Sequence, residues 1–127
     1  MQEEFKIIEE LKQSRAFIYG NELSNIVWKI VSGWNYFEKN TIGTQWCRST
    51  DSISANIAEG FGRYFYKEKN RFYCYSRGSL VESMIWLEKA YSRKLVSEKN
   101  YDAMSKLYKQ IPYEINILIN NLRKFIN

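Results

Sequence analysis

One proline, Pro112, and six glycines are all that punctuate 127 residues, and apolar side chains recur at three-and-four spacing through most of the remainder. A chain with so few breakers and that period folds as helices. Leu23, Ile26, Val27, Ile30, Val31, Trp34 and Phe37 form the first stripe and predict a helix from Asn21 to Lys39. Thr41-Ile42-Gly43-Thr44 reads as a break, with Thr44 as the next N-cap. A second helix, Gln45 to Phe61, carries Trp46, Thr50, Ile53, Ile57 and Phe61 on one side. Small Ser54 and Ala58 beside them let another helix approach closely.

Gly60 and Gly62 are expected to supply the positive-φ positions that end this helix, so the chain should turn at Gly60-Phe61-Gly62. The third helix, Tyr66 to Arg93, shows a stripe of Phe72, Ser76, Ser79, Ser83, Trp86 and Ala90 beside a second one of Leu80, Met84, Leu87 and Tyr91. Two burial faces on one helix favour an oligomer. The fourth helix, Glu98 to Ile126, has Ser97 as its N-cap and an apolar row of Met104, Tyr108, Ile111, Ile115, Leu118, Leu122 and Phe125. Pro112 removes the bond to the Tyr108 carbonyl and should bend the helix, since the period runs on through it. The fold expected is all-α, an up-down-up-down four-helix bundle over residues 21–127, preceded by an N-terminal arm or short helix over 1–20. In that arm Phe5, Ile8 and Leu11 alternate with Glu3, Glu4, Glu9 and Glu10.

The net charge of +5 permits an anionic partner without requiring one. No histidine is present, which removes the commonest general base and every Ser-His or Cys-His nucleophile pair. Cys47 and Cys74 stand apart without metal-ligand spacing and read as buried free thiols. No metal and no cofactor is implied. No apolar run is long enough to span a bilayer, and the acidic start Met1-Gln2-Glu3-Glu4-Phe5 is unlike a secretory signal, so no membrane partner and a cytoplasmic location are expected.

Residues 52–63 mix small, polar and charged side chains where a core helix is normally apolar. Asn56, Glu59 and Arg63, with Arg77 and Glu82 facing them from the third helix, could form a structural polar network that fixes packing. Asp51, Glu59 and Glu82 are the only acids near enough to suggest a metal-dependent nuclease, which is the most distant reading. Trp34, Trp46 and Trp86 fall on apolar stripes, whereas Trp28 with Tyr36 lies off them and suits a subunit contact.

Just downstream, Arg63 to Arg77 interleaves cations with six aromatics and a single acid, Glu68. Cations that neutralise phosphates, among rings on which bases stack, make a nucleic-acid surface. Arg63, Lys67, Lys69, Arg71 and Arg77 are the expected binding residues; the competing reading is a bundle helix with its rings buried and its cations solvated.

The run Ser-Ile-Ser-Ala-Asn-Ile-Ala-Glu-Gly-Phe-Gly-Arg at 52–63 follows Gln45-Trp46-Cys47-Arg48 and precedes Ser76-Arg77-Gly78-Ser79-Leu80-Val81-Glu82. This pattern resembles the four-helix-bundle family of ribosomal-RNA intervening-sequence proteins, over roughly residues 21–127. It departs from the family pattern at Arg48-Ser49, often Arg-Ala, and at Ser76-Arg77-Gly78-Ser79, often Ala-Arg-Gly-Ser. The resemblance extends to the accessory variability protein of diversity-generating retroelements. It implies a ring-like homo-oligomer, a pentamer, whose basic surfaces engage RNA or DNA and a reverse transcriptase. The function expected is therefore a non-enzymatic, nucleic-acid-binding oligomer; the alternative is an adaptor, for example for a reverse transcriptase, that does not itself touch nucleic acid.

Overall fold

Along residues 2–126, which the computed structural model describes, every regular element is helical. Helix α1 spans Gln2–Leu11, α2 Arg15–Ser32 and α3 Tyr36–Glu38; α3 runs through a π-helical turn, Lys39–Gly43, into α4, Thr44–Gly62. Helices α5, Tyr66–Ser92, and α6, Glu98–Leu122, follow, with a 3-10 turn at Arg123–Phe125. The long helices form a bundle in which α4 packs on α2 and α5, and α6 packs on the same two. None of the described helices is long and apolar enough to cross a membrane.

The first helix starts and stops earlier than its apolar stripe suggests. Residues 15–20 belong to α2, with Ala16 and Gly20 buried, so a boundary between 20 and 21 falls inside a helix. A Cβ on Gly20 would lie 3.2 Å from that of Ser54, which shows α2 and α4 in close approach where small residues face each other. The break comes at Gly33, whose N–H closes onto the Ile30 carbonyl while the Trp34 N–H closes onto that of Val31, and at extended Asn35. Phe37, counted in the stripe, lies beyond that break and is exposed.

Thr41 to Thr44 is not a break. The chain stays helical there by widening into the π turn, and hydroxyls and amides reach back to its carbonyls: Asn40 to Tyr36, Thr41 to Phe37 and Thr44 to Lys39, at 2.7 to 3.0 Å. Thr44 is therefore no N-cap, although Ser97 is one, its Oγ accepting the Asn100 N–H at 3.1 Å. Pro112 lies inside α6, which continues past it to Leu122.

Gly60 also has a different job from the one its place near a helix end suggests. No described glycine has positive φ, and α4 runs through Gly60 and Phe61 to Gly62. A Cβ on Gly60 would sit 2.6 Å from Cε1 and 2.9 Å from Cδ1 of Tyr73, so the bare backbone is what lets that ring lie against α4. Burial in turn pushes the Tyr73 phenol up to about 12. Gly60→Ala is expected to cost about 1–3 kcal/mol as an overpacking defect, read as a lower urea midpoint at unchanged slope. An unaltered midpoint would show that Tyr73 can move away freely.

On α5 the buried row is Tyr73, Ser76, Leu80, Ser83, Leu87 and Ala90, a single heptad stripe that takes members from both expected ones and adds Tyr73, which is in neither. Met84 and Tyr91, from the second stripe, are exposed in the chain by itself. The small members of the row bring α5 onto α4, and Ser76 Oγ donates to the Ile53 carbonyl at 2.7 Å. At the centre Trp46, fully buried, donates through Nε1 to the Tyr108 hydroxyl at 3.1 Å. That hydroxyl meets Ser83 Oγ at 2.6 Å, and Ser83 meets Thr50 Oγ1 at 2.6 Å, so α4, α5 and α6 share one buried polar chain. The cysteines are free, but Cys47 is only half-buried and Cys74 is exposed on α5, against the expectation of two buried thiols.

Candidate nucleic-acid interface

The α4–α5 connection is Arg63-Tyr64-Phe65, whose first and last residues are extended, with φ −79°, ψ 147° and φ −91°, ψ 140°. Lys69, in the first turns of α5, reaches back across it. Lys69 Nζ donates to the carbonyls of Gly60 at 3.2 Å and Phe61 at 2.9 Å, at the carbonyl end of α4 where the helix dipole gathers negative charge. Desolvation of the half-buried ammonium lowers its pKa, against a smaller opposing effect of Glu10. Lys69 thus closes a helix end, and its charge is committed within the chain.

Arg63 is engaged as well. Its guanidinium pairs with Glu59 at 2.7 Å and Glu68 at 3.7 Å and lies 4.6 Å from the ring centroid of Phe72. Helix α1 adds an acidic wall on this side. Glu3, Glu4 and Glu10 line a cleft of about 630 Å³ opposite Arg63, Tyr64 and Lys69. An anion approaching from that direction meets carboxylates first.

The other cations point elsewhere. Lys67 and Arg71 are exposed on α5 and, among the described residues, make no ion pair. Arg77 is exposed too, its Nη2 donating to Asn116 Oδ1 at 2.5 Å. It lines a groove of about 410 Å³ between α5 and the end of the chain, with Asn70 and Cys74 on one side and Ile119, Arg123 and Ile126 on the other. Among the described residues, no carboxylate lines this groove. The 3-10 turn brings Phe125 onto Tyr66, their rings stacked at 4.5 Å, and Lys124 Nζ lies 5.1 Å from the Phe125 ring.

Five residues expected to form one polar network are therefore dispersed. Glu59 and Arg63 do meet, with Glu68 and Phe72 added to them. Asn56 donates to the Ser52 carbonyl of its own helix at 2.9 Å, Arg77 turns to Asn116, and Glu82 accepts from Trp86 Nε1 at 3.4 Å. Asp51, Glu59 and Glu82 do not gather either: among the described residues no group of acids or cysteines could hold a metal ion. Of the Trp residues, Trp46 is buried and Trp34 stacks on it at 5.8 Å, while Trp28 is 68% exposed. Arg123, Lys124 and Phe125 were not among the expected binding residues. Their sequence signal is the same cation-and-ring pattern as 63–77, at the far end of the chain.

An all-α bundle with one end rich in free cations and exposed rings defines a structural class. Within it, the model of the 23S rRNA-intervening sequence protein family matches residues 12–116, and the chain belongs to that family. The matched span takes in α2, α4, α5 and most of α6, and leaves Arg123 to Phe125 beyond it. No curated protein matches the chain.

Proposed function

We propose that this protein is a non-enzymatic, cytoplasmic nucleic-acid-binding protein, an up-down-up-down four-helix bundle that assembles as a ring-like homopentamer. The observation that carries the binding is the exposed pair Lys67 and Arg71, which make no ion pair among the described residues, beside a groove rimmed by Arg77 and Arg123 with no carboxylate among the described residues of its lining. Antiparallel contacts support the topology: Ser24 bonds to the Thr50 carbonyl, Ser76 to that of Ile53, and Ser83 to Tyr108. Exposed Val81 and Ile85 on the outer face of α5, with Met84 and Tyr91, support burial against another copy. The binding set differs from the five residues expected from sequence: Lys67, Arg71 and Arg77 stay, Arg123 and Lys124 join them, and Arg63 and Lys69 become structural.

Salt dependence tests the reading. With Lys67, Arg71, Arg77, Arg123 and Lys124 each neutralising a phosphate, the logarithm of the binding constant should fall against the logarithm of salt with a slope of about −3.5 for a single strand and about −4.5 for duplex DNA. Absent or salt-insensitive binding overturns it.

A second reading, an adaptor for a partner such as a reverse transcriptase, is favoured by one observation at a different place. Trp28 stands exposed in a groove of about 430 Å³ lined also by Val31, Gly43 and Cys47, with Lys39 and Arg48 among its residues. A purified reverse transcriptase retained after nuclease treatment, with no intrinsic affinity for nucleic acid, is the result that selects the adaptor.

A further inference from the structure

The rings at the α4–α5 end form an exposed cluster. Tyr64-Phe65-Tyr66 are consecutive, the first two in the α4–α5 connection and the third the first residue of α5. Tyr64 is 87% and Phe65 63% exposed, held edge-to-face with each other at 5.1 Å, and the Tyr66–Phe125 stack lies exposed beside them.

These rings are also held in place before any ligand arrives. The connection that carries Tyr64 and Phe65 is pinned at one end by the Arg63 N–H on the Gly60 carbonyl at 3.2 Å and across its length by Lys69. Little ordering has to accompany a ligand that lands on them. Cations adjoin the rings in sequence, Lys67 and Arg71 after Tyr66 on α5 and Arg123 and Lys124 before Phe125; Glu3, Glu4 and Glu10 share a cleft with Tyr64, so a strand has to reach the rings from the α5 side.

We infer that this end of the bundle binds single-stranded nucleic acid in preference to duplex, with bases stacked on Tyr64, Phe65 and the Tyr66–Phe125 pair while Lys67, Arg71, Arg123 and Lys124 meet the phosphates. The inference rests on the nucleic-acid reading above and specifies its substrate. A base offers its π face only when it is unstacked from its neighbours, as in a single strand. A duplex presents phosphates and groove edges, so it can use the cations and gains nothing from the rings. The neighbouring groove suits a splayed base as well: Ile119, Ile126 and Cys74 give it apolar lining, and Asn70 and Arg77 give it polar lining. Because every base has a π face, the preference should be for strandedness and not for sequence.

The test uses the full chain and fluorescence anisotropy with a labelled oligothymidylate of about 16 nucleotides, free or annealed to its complement. At equal salt the single strand should bind at least about tenfold more tightly. A Tyr64→Ala, Phe65→Ala protein should lose about tenfold on the single strand while its duplex affinity and salt slope stay as they were. Both positions are exposed, and an unchanged circular dichroism melt checks that the variant folds. Duplex binding as tight as single-strand binding overturns the inference and leaves the anion surface standing. So does an unchanged single-strand affinity in the double variant, including the case where its mass in solution changes because those rings served another copy. Failure to bind either probe overturns the nucleic-acid reading itself, and this inference with it.

Discussion

A Lys67→Glu, Arg71→Glu protein is expected to bind RNA or DNA on the order of 100-fold more weakly than the unaltered chain at about 0.1 M salt. Two phosphate contacts disappear and two repulsive charges take their place, so the salt slope should also become shallower by about 1.5. The fold should be indifferent, since both side chains are exposed and, among the described residues, unpaired. Retention assays and a thermal melt on the same sample give both readouts. Lys69 provides the contrast. Its ammonium is bonded to the carbonyls of Gly60 and Phe61, so Lys69→Met should lower the melting temperature and leave binding largely intact. If Lys69→Met weakens binding as much as the double reversal does, the division of these cations into structural and binding sets is wrong.

That division marks the limit of what the sequence makes legible. Helix positions, the central stripes and the Ser97 cap follow from periodicity and local chemistry, which report which face of a helix is apolar. Periodicity does not report where a long, flexible cation ends. Lys67, Lys69 and Arg71 look alike in a run of charges and rings, yet only Lys69 falls within reach of the open carbonyls of α4. Gly60 is a similar case. A glycine near a helix end reads the same whether its missing Cβ serves a positive φ or clears room for a ring, and only the approach of Tyr73 separates the two. The stretch 41–44 was obscured by a different effect. A π turn keeps the chain helical while shifting the phase of its apolar positions, which in sequence looks like a stop.

The Arg123–Phe125 turn was missed for a topological reason. It is remote in sequence from 63–77 and joins it because α6 brings the end of the chain back to the start of α5. The segment 52–63, the most unusual in the chain, is correspondingly less of a polar site than its composition suggests. Asn56 and Ser52 satisfy their polar groups within α4, Ser54 makes room for α2, and Gly60 makes room for Tyr73. Much of that segment is shaped by close packing, and the exposed cations Lys67 and Arg71 come after it.

The largest expected loss of stability belongs to Trp46. Trp46→Ala should cost about 3–5 kcal/mol, because it removes a fully buried ring from between α4 and its neighbours. Against a total of about 5–15 kcal/mol for a domain of ordinary stability, that is enough to leave the chain marginal. Part of the effect is polar and can be separated. Tyr108→Phe keeps a ring of almost the same volume and deprives Trp46 Nε1 of its acceptor and Ser83 of one partner. Because the site is buried, the stranded donor should cost about 1–3 kcal/mol in urea unfolding followed by circular dichroism. An unchanged midpoint would mean that water reaches this chain of hydroxyls and replaces the lost partner. The polar chain is also a register device: Thr50, Ser83 and Tyr108 come from α4, α5 and α6, and a shift of one turn in any of them would leave the others unpaired in the core. The Tyr108→Phe protein should consequently keep its helix content while losing sharpness in its unfolding transition. The α4–α5 end, whose rings and cations depend on that register, should then show weaker nucleic-acid binding before the bundle itself unfolds.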